Sequence, residues 1–313
     1  MASFSVVVPT YNRRERVLRA IASVRAQSFR DFEVVVVDDG STDGTAEALA
    51  SQPGLQVVRQ SNRGAAAARN AGARRAGGEY LAFLDSDDTW PPWTLASYAV
   101  LVERHAPAWI YGRRCAVLAP GARDPVQAPL SAEAFPHYAA AAASSGLMPV
   151  PSGVAVRRDV FARVRGFCEA LRIGEDLDLW FRLGNEPRFV LMHAPLAFAR
   201  EVHKGAVSRD LPLAETSMAQ LVRRERRGLY PGDPRLWRAM LASELMGYAW
   251  QCQGQGRSGL ALRLYARLLE LQLRSDFWEP RFGNRRNRYL ASFPLRLLSP
   301  RLHEGAARAA GRR

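Results

Sequence analysis

Cysteine, lysine and phosphate-cradling glycine loops are what this chain has least of. Three cysteines, Cys115, Cys168 and Cys252, stand far apart among 313 residues and form no CxxC pair. That excludes a thiolate zinc site and a disulfide framework, and it fits a reducing cytosol. Lys204 is the single lysine, so nearly all the positive charge is arginine. No basic stretch followed by an apolar one precedes the strand-like run at Phe4, so no signal peptide is expected. One uncharged stretch, Tyr138 to Val156, has the length to raise the question of a membrane span. It carries Ser144, Ser145, Gly146, Pro149 and Pro151, which break a spanning helix; a helix, a loop and a buried strand are expected instead. Where dinucleotide oxidoreductases, P-loop enzymes and many nucleotidyltransferases place a glycine-rich loop after the first strand, this chain has Pro9, Thr10 and Tyr11. Phosphate charge must be met here by metal and basic side chains.

What is present reads as an ordinary globular protein, with 48% hydrophobic and 24% charged residues. The net charge of +14 is unevenly placed: residues 200–313 hold 22 basic against 10 acidic side chains, leaving 22 against 20 in the first 199. The excess points to an anionic partner for the C-terminal part, such as a membrane surface or a phosphate-bearing acceptor, or else to a solvated arginine-rich face. Without stacking platforms, the basic residues give no reason to expect nucleic acid.

The first ninety residues alternate strand and helix. Phe4–Val8 is an apolar strand run, and Asn12 with Glu15 has capping-box spacing ahead of Val17, Ile21 and Val24 at helical intervals. Val34–Val37 is a run suited to a strand covered on both faces, Leu55–Val58 and Tyr80–Leu84 supply two more strands, and Gly64–Ala76 is an alanine-rich helix. Such alternation implies an α/β fold with a doubly wound, mostly parallel sheet flanked by helices. Gly153–Val156 and Asp176–Leu183 follow as a strand and an amphipathic helix. Beyond about residue 212 the chain turns helical and basic. Leu236–Gln251 and Leu260–Leu273 suggest an antiparallel pair around Gly254–Gly259.

Ligands of open α/β sheets bind outside the carboxyl ends of the strands. Those ends deliver Thr10, Tyr11 and Asn12, then Asp38 and Asp39, then Asp85, Ser86, Asp87 and Asp88. Five carboxylates in one crevice repel unless a divalent cation joins them, and the same cation would neutralise a diphosphate. Asp85 and Asp87, two apart in an extended segment, share a face. The competing reading is a plain turn after a strand, built from good turn formers.

Val6–Arg13 (VVVPTYNR), Val34–Thr45 (VVVVDDGSTDGT), Ala68–Ala76 (ARNAGARRA) and Gly78–Asp88 (GEYLAFLDSDD) resemble successive motifs of the family 2 glycosyltransferases of the GT-A fold. Ser152–Phe167, Gly174–Leu183 (GEDLDLWFRL) and Arg200–Ser208 (REVHKGAVS) resemble its acceptor-side, catalytic-base and late histidine motifs. The resemblance covers roughly residues 3–210 and implies a Rossmann-like GT-A domain over 1–212, with a nucleotide half to about 92 and an acceptor half beyond it. A basic helical extension would occupy 213–313. It further implies an inverting, hexosyltransferase-like enzyme that takes a nucleoside diphosphate sugar, expected to be UDP-linked, to a glycan, glycolipid or other hydroxyl acceptor with Mn²⁺ or Mg²⁺. The Q-x-x-R-W signature and spanning helices of its processive synthases are missing, which favours single addition.

By the same resemblance, Pro9, Tyr11, Asp39, Arg69 and Asp85 would bind the donor, Asp87 and His203 the metal, and Asp176 would be the general base, with Glu175 and Trp180 on the acceptor side. Arg69 as a helix-surface arginine and His203 as a structural loop residue stay open. Asp176 also has its own logic: it shares a helix face with Leu179, Trp180 and Leu183, whereas Asp178 is expected to point elsewhere. Glu175 and Asp178 are its local rivals, and favourable charge in a first helical turn is the plain alternative. A non-catalytic nucleotide-sugar binder or scaffold of the same fold is the rival function. The expected location is cytoplasmic, with the tail from Arg281, where arginines mix with Tyr289, Leu290 and Phe293, placed to meet the inner face of an anionic membrane.

Overall fold

The computed structural model describes residues 3–114, 126–200 and 210–273, which fall into two compact units: the chain up to residue 207 together with Gly228–Gly232, and three helices beyond. In the first unit β1 (Phe4–Thr10), α1 (Arg14–Arg25), β2 (Phe32–Asp38), α2 (Thr45–Ala50), β3 (Gln56–Arg59), α3 (Ala65–Arg75) and β4 (Tyr80–Phe83) alternate as the apolar pattern implies. Their strands stand in the order β3-β2-β1-β4, all parallel. All of β1 and Val34–Val37 of β2 are buried, because helices cover both faces. The alanine-rich α3 has a steric cause. A Cβ at Gly72 would lie 2.4 Å from Val7 Cγ1, so only a helix of small residues can lie this close to the sheet. Ala68 and Ala71 accordingly pack on Val35 and Val37.

After β4 come β5 (Asp88–Thr89), α4 (Thr94–His105), β6 (Trp109–Gly112), β7 (Ser131–Phe135), α5 (Tyr138–Ser145), β8 (Val154–Arg157), α6 (Arg158–Arg163), α7 (Glu175–Arg182), β9 (Phe189–Ala194) and β10 (Ala199–Arg200). The sheet continues β4-β8-β6-β9-β7, with β8 antiparallel to β4 and β6 and β7 antiparallel to β9. The uncharged stretch from Tyr138 is indeed a helix, a loop and the buried β8. Among the described residues no helix is long and apolar enough to cross a membrane. An aromatic core holds α7 against this half. Trp180 stacks on Trp109 at 5.2 Å between centroids, and Tyr138 and Phe189 surround Trp109.

The capping box does not form. Asn12 takes φ +50° and accepts from the Thr42 amide at 2.8 Å, while its own amide donates to Ser41 Oγ. The first amide of α1, on Arg14, donates to Asp43 instead. A partner from a neighbouring loop has replaced the local one.

The second unit contains α8 (Leu211–Arg226), α9 (Pro234–Gly254) and α10 (Ser258–Leu273), so the expected helical pair gains a third helix. Gly254–Gly259 spells a GxGxxG spacing, but it joins two helices with no strand before it, and Gly256 at φ +70° serves only to turn the chain. Several arginines are paired internally: Arg238 with Glu225 at 2.6 Å, Arg267 with Glu215 at 3.1 Å, and Arg226 with Glu270. These arginines are therefore held in internal ion pairs, which leave the net C-terminal charge excess unchanged.

Glu33 fastens the start of β2. Its carboxylate accepts from Ser5 Oγ, the Gly77 amide and Gln56 Nε2, each at 2.5 Å. Partial burial alone would raise its pKa, but the bonds from Ser5, Gly77, Gly78 and Gln56 outweigh it and hold the carboxyl below its ordinary 4.5. A depressed carboxylate pKa adds stability above the unfolded value, and that stability is lost as pH falls through the folded value. Glu33→Gln should thus cost about 1–2 kcal/mol at neutral pH, and the difference should shrink once pH drops below 4.5. Urea unfolding of both proteins at pH 7 and pH 3.5 checks this; a constant difference would refute it.

Candidate active site

The carboxyl ends of β1, β2 and β4 lie side by side, and the polar residues collect there. Thr10 pairs with Asp38 in register, and the Asp39 amide donates to Thr10 O at 2.9 Å. Pro9 is buried within β1 opposite Val37, whereas Tyr11 is 45% exposed. The Asp39 carboxylate, 4% exposed, accepts from Gln60 Nε2 at 2.7 Å, the Arg63 amide at 2.9 Å and the Gly64 amide at 2.7 Å. It thereby fixes the loop that opens α3, besides any part it plays toward a ligand. Asp38 is fully buried, accepts from the Ser41 amide and lies 3.5 Å from Arg59.

Asp85 and Asp87 in the turn after β4, and Asp88 at the start of β5, each offer an oxygen within 4.8 Å of the others. Ser152, just before β8, organises this turn. Its hydroxyl accepts from the Asp85 amide at 3.1 Å and donates to Asp88, and its carbonyl accepts from Trp90 Nε1 at 2.7 Å. Arg13 lies 3.1 Å from Asp87. Three carboxylates gathered this closely, with oxygen ligands only, suit a hard divalent cation such as Mg²⁺ or Mn²⁺.

Arg69, buried in α3, joins this cluster to α7. Its guanidinium donates to Asp85 at 2.6 Å and to Glu175 at 2.8 Å, and lies over the Phe167 ring at 5.1 Å. Burial alone would lower its pKa, but the two carboxylates raise it, so the charge is held firmly. Glu175 opens α7 and Asp176 follows it. Asp176 is partly exposed, accepts from the Leu177 amide at 2.7 Å, and is one of the charges that, after burial and Tyr111, push the Tyr138 hydroxyl's pKa up.

Residues 5–165 match the profile of "Glycosyl transferase family 2". An uncharacterized glycosyltransferase of Haemophilus influenzae is 31% identical over 212 residues, covering 66% of this chain and 71% of that protein. The chain belongs to glycosyltransferase family 2. An amylovoran biosynthesis glycosyltransferase, AmsB of Erwinia amylovora, is 38% identical over 109 residues, 33% of this glycosyltransferase and 36% of the relative. Among solved structures, TarS of S. aureus in complex with UDP-GlcNAc has a TM-score of 0.64 at 20% identity, covering 86% of this chain and 81% of that one. The mannosyltransferase PcManGT from Pyrobaculum calidifontis in complex with GDP-Man and Mn²⁺ has a TM-score of 0.55 at 20% identity, covering 96% and 88%. These likenesses show the GT-A type of fold.

Within this glycosyltransferase the site residues separate into three groups. Asp85, Arg69 and Glu175 are in direct contact, Asp87 and Asp176 adjoin them in sequence, and Asp39 lies at the end of β2, which β1 separates from β4. Trp180 is 1% exposed, with Nε1 donating to Pro149 O at 3.0 Å; it belongs to the core, not to an open acceptor face. Asp178, expected to point elsewhere than Asp176, is fully buried. It binds Arg182 at 2.6 Å and accepts from the Tyr230 hydroxyl at 3.1 Å. Arg182, one turn on in α7, and Tyr230, 52 residues on, give it the partners that make burial tolerable. His203 lies outside the described residues. Sequence reasoning passed over Ser152 and Arg13; a small polar residue before a strand and an arginine after a turn carry no signal of their own.

Proposed function

We propose that this glycosyltransferase transfers a sugar from a UDP-linked donor to a hydroxyl of a glycan or glycolipid, one residue at a time and with inversion, in polysaccharide assembly. The observation that carries the reading is the Asp85–Asp88 carboxylate cluster, joined through one buried arginine to the helix start that bears Glu175 and Asp176. Asp87, with Asp85 and Asp88, would hold Mn²⁺ or Mg²⁺, and His203 would join them. The cation supplies charge neutralisation for the departing diphosphate. Pro9, Tyr11 and Asp39 line the base and ribose. Asp176 removes the acceptor hydroxyl proton as that oxygen attacks the anomeric carbon opposite the leaving diphosphate, and Glu175 borders the acceptor. The UDP-GlcNAc complex of TarS and the biosynthetic role in the name of AmsB support the donor and the setting.

UDP release from a panel of UDP-sugars with Mn²⁺ tests the reading, since background hydrolysis accompanies transfer. Absence of both turnover and thermal stabilisation with every donor in the panel would overturn it.

Residues 281–313 lie outside the described segments, and their alternation of arginine with Tyr289, Leu290 and Phe293 supports docking on an anionic membrane face. Deleting them should abolish cosedimentation with phosphatidylglycerol vesicles, and salt should weaken it in the intact protein. Equal binding with and without the segment would refute this.

A further inference from the structure

We propose that Arg69 is a positioning residue that couples cation occupancy of the Asp85–Asp88 cluster to the placement of the α7 start, and is not a donor ligand. The inference rests on the reading that the cluster holds a divalent cation and that Asp176 is the base.

The geometry has three parts. First, Arg69 is 4% exposed, so its guanidinium has almost no surface left for a third partner. Second, both ω-nitrogens are committed, Nη2 to Asp85 and Nη1 to Glu175, on segments 16 and 106 residues away in sequence. The Phe167 ring covers one face at 5.1 Å. Third, Nε has no hydrogen-bond partner among the described residues, so the hydrogen-bonded grip of the guanidinium comes through the two carboxylates. A planar fork is suited to bridging two carboxylates in this way; an ammonium, a point charge, is not.

Asp85 therefore has two claims on it. A cation in the cluster draws its carboxylate toward the metal, and Arg69 draws it toward Glu175. Positive charges sharing one carboxylate oppose each other, so Arg69 weakens cation binding while it fixes Glu175, and with it the first turn of α7. Linkage makes the effect reciprocal: cation binding alters the hold of Arg69 on Glu175 and so the position of Asp176, one residue on. Ser152 restrains the other end of the same turn through the Asp85 amide and Asp88, so Asp85 has little freedom to satisfy both claims by moving away.

A donor ligand, a mere fold support and a coupler behave differently in Arg69→Met, which keeps an unbranched apolar stem and removes the charged fork. Coupling predicts Mn²⁺ bound about three- to tenfold more tightly, read by the electron paramagnetic resonance of free Mn²⁺, because an opposing charge is gone. It predicts kcat lowered roughly 10–100-fold by misplacement of the base, with donor KM within about threefold. Amide exchange across residues 174–183 should quicken. Arg69→Lys should restore weak Mn²⁺ binding without restoring kcat, since an ammonium cannot span both carboxylates. Glu175→Gln, which leaves no buried charge bare, should quicken the same exchange and lower kcat even if the Arg69 variants fold poorly.

Donor KM raised with kcat preserved would make Arg69 a donor ligand and overturn the proposal. Unchanged Mn²⁺ affinity, or unchanged exchange across α7 in Arg69→Met and Glu175→Gln, would overturn it too. Should wild type bind Mn²⁺ yet turn over no UDP-sugar, the proposed function falls, while the Mn²⁺ and exchange measurements still decide the role of Arg69.

Discussion

Asp176→Asn should lower turnover by ~10²–10⁴-fold and leave donor affinity nearly unchanged. The substitution is isosteric, and its Oδ1 can still accept from the Leu177 amide, the bond that Asp176 makes at 2.7 Å in the first turn of α7. Helix start and fold are thus kept while the capacity to take a proton at neutral pH is lost. The nearby carboxylates give the contrast. Asp178→Asn should act on stability, because removing the charge of a fully buried carboxylate leaves the Arg182 guanidinium with only neutral partners, the carbonyls of Val164 and Gly166 among them. Comparing kcat, donor KM and urea midpoints for the two variants separates base from scaffold. Near-wild-type turnover in Asp176→Asn would shift the role of base to Glu175.

Legibility followed locality. The valine run of β2, the alternation through β4 and the small residues of α3 announce themselves because each depends on periodicity or on contact with a single neighbouring element. The carboxylate-rich strand ends were readable for the same reason: parallel topology alone brings Asp39 and Asp85–Asp88 to one edge. What escaped depends on partners far away in sequence. Asp178 has only its helix neighbour Arg182 on a helical wheel until Tyr230 arrives from 52 residues on. Asn12 looks like a helix cap until Ser41 and Thr42 claim it. Arg69 looks like any helix-surface arginine until Glu175 arrives from 106 residues on. The short strands β6 and β7 gave no signal, one being four residues long and the other, Ser131–Phe135, largely exposed.

Asp87→Ala should abolish metal-dependent transfer while leaving the protein folded. Asp87 sits in the turn after β4 with its side chain 17% exposed, and it pairs with Arg13, itself 22% exposed. Losing such a partly buried pair costs on the order of 1 kcal/mol, and removing one of three crowded carboxylates relieves repulsion, so the unfolding midpoint should move little. The catalytic loss should be far larger. Removing a ligand from a three-carboxylate cluster weakens the cation that offsets the diphosphate charge, and several kcal/mol of barrier lowering correspond to roughly 10³-fold or more in rate. Ser152 still holds Asp85 and Asp88, so the variant keeps part of the cluster, and high Mn²⁺ should recover a fraction of the activity. Asp87→Glu keeps the charge but shifts the oxygen by one methylene, and should recover Mn²⁺ binding ahead of rate. Titrating Mn²⁺ against transfer in wild type, Asp87→Ala and Asp87→Glu gives the comparison. Full wild-type activity in EDTA, or an Asp87→Ala enzyme with an unaltered Mn²⁺ requirement, would show that the cluster holds no catalytic cation.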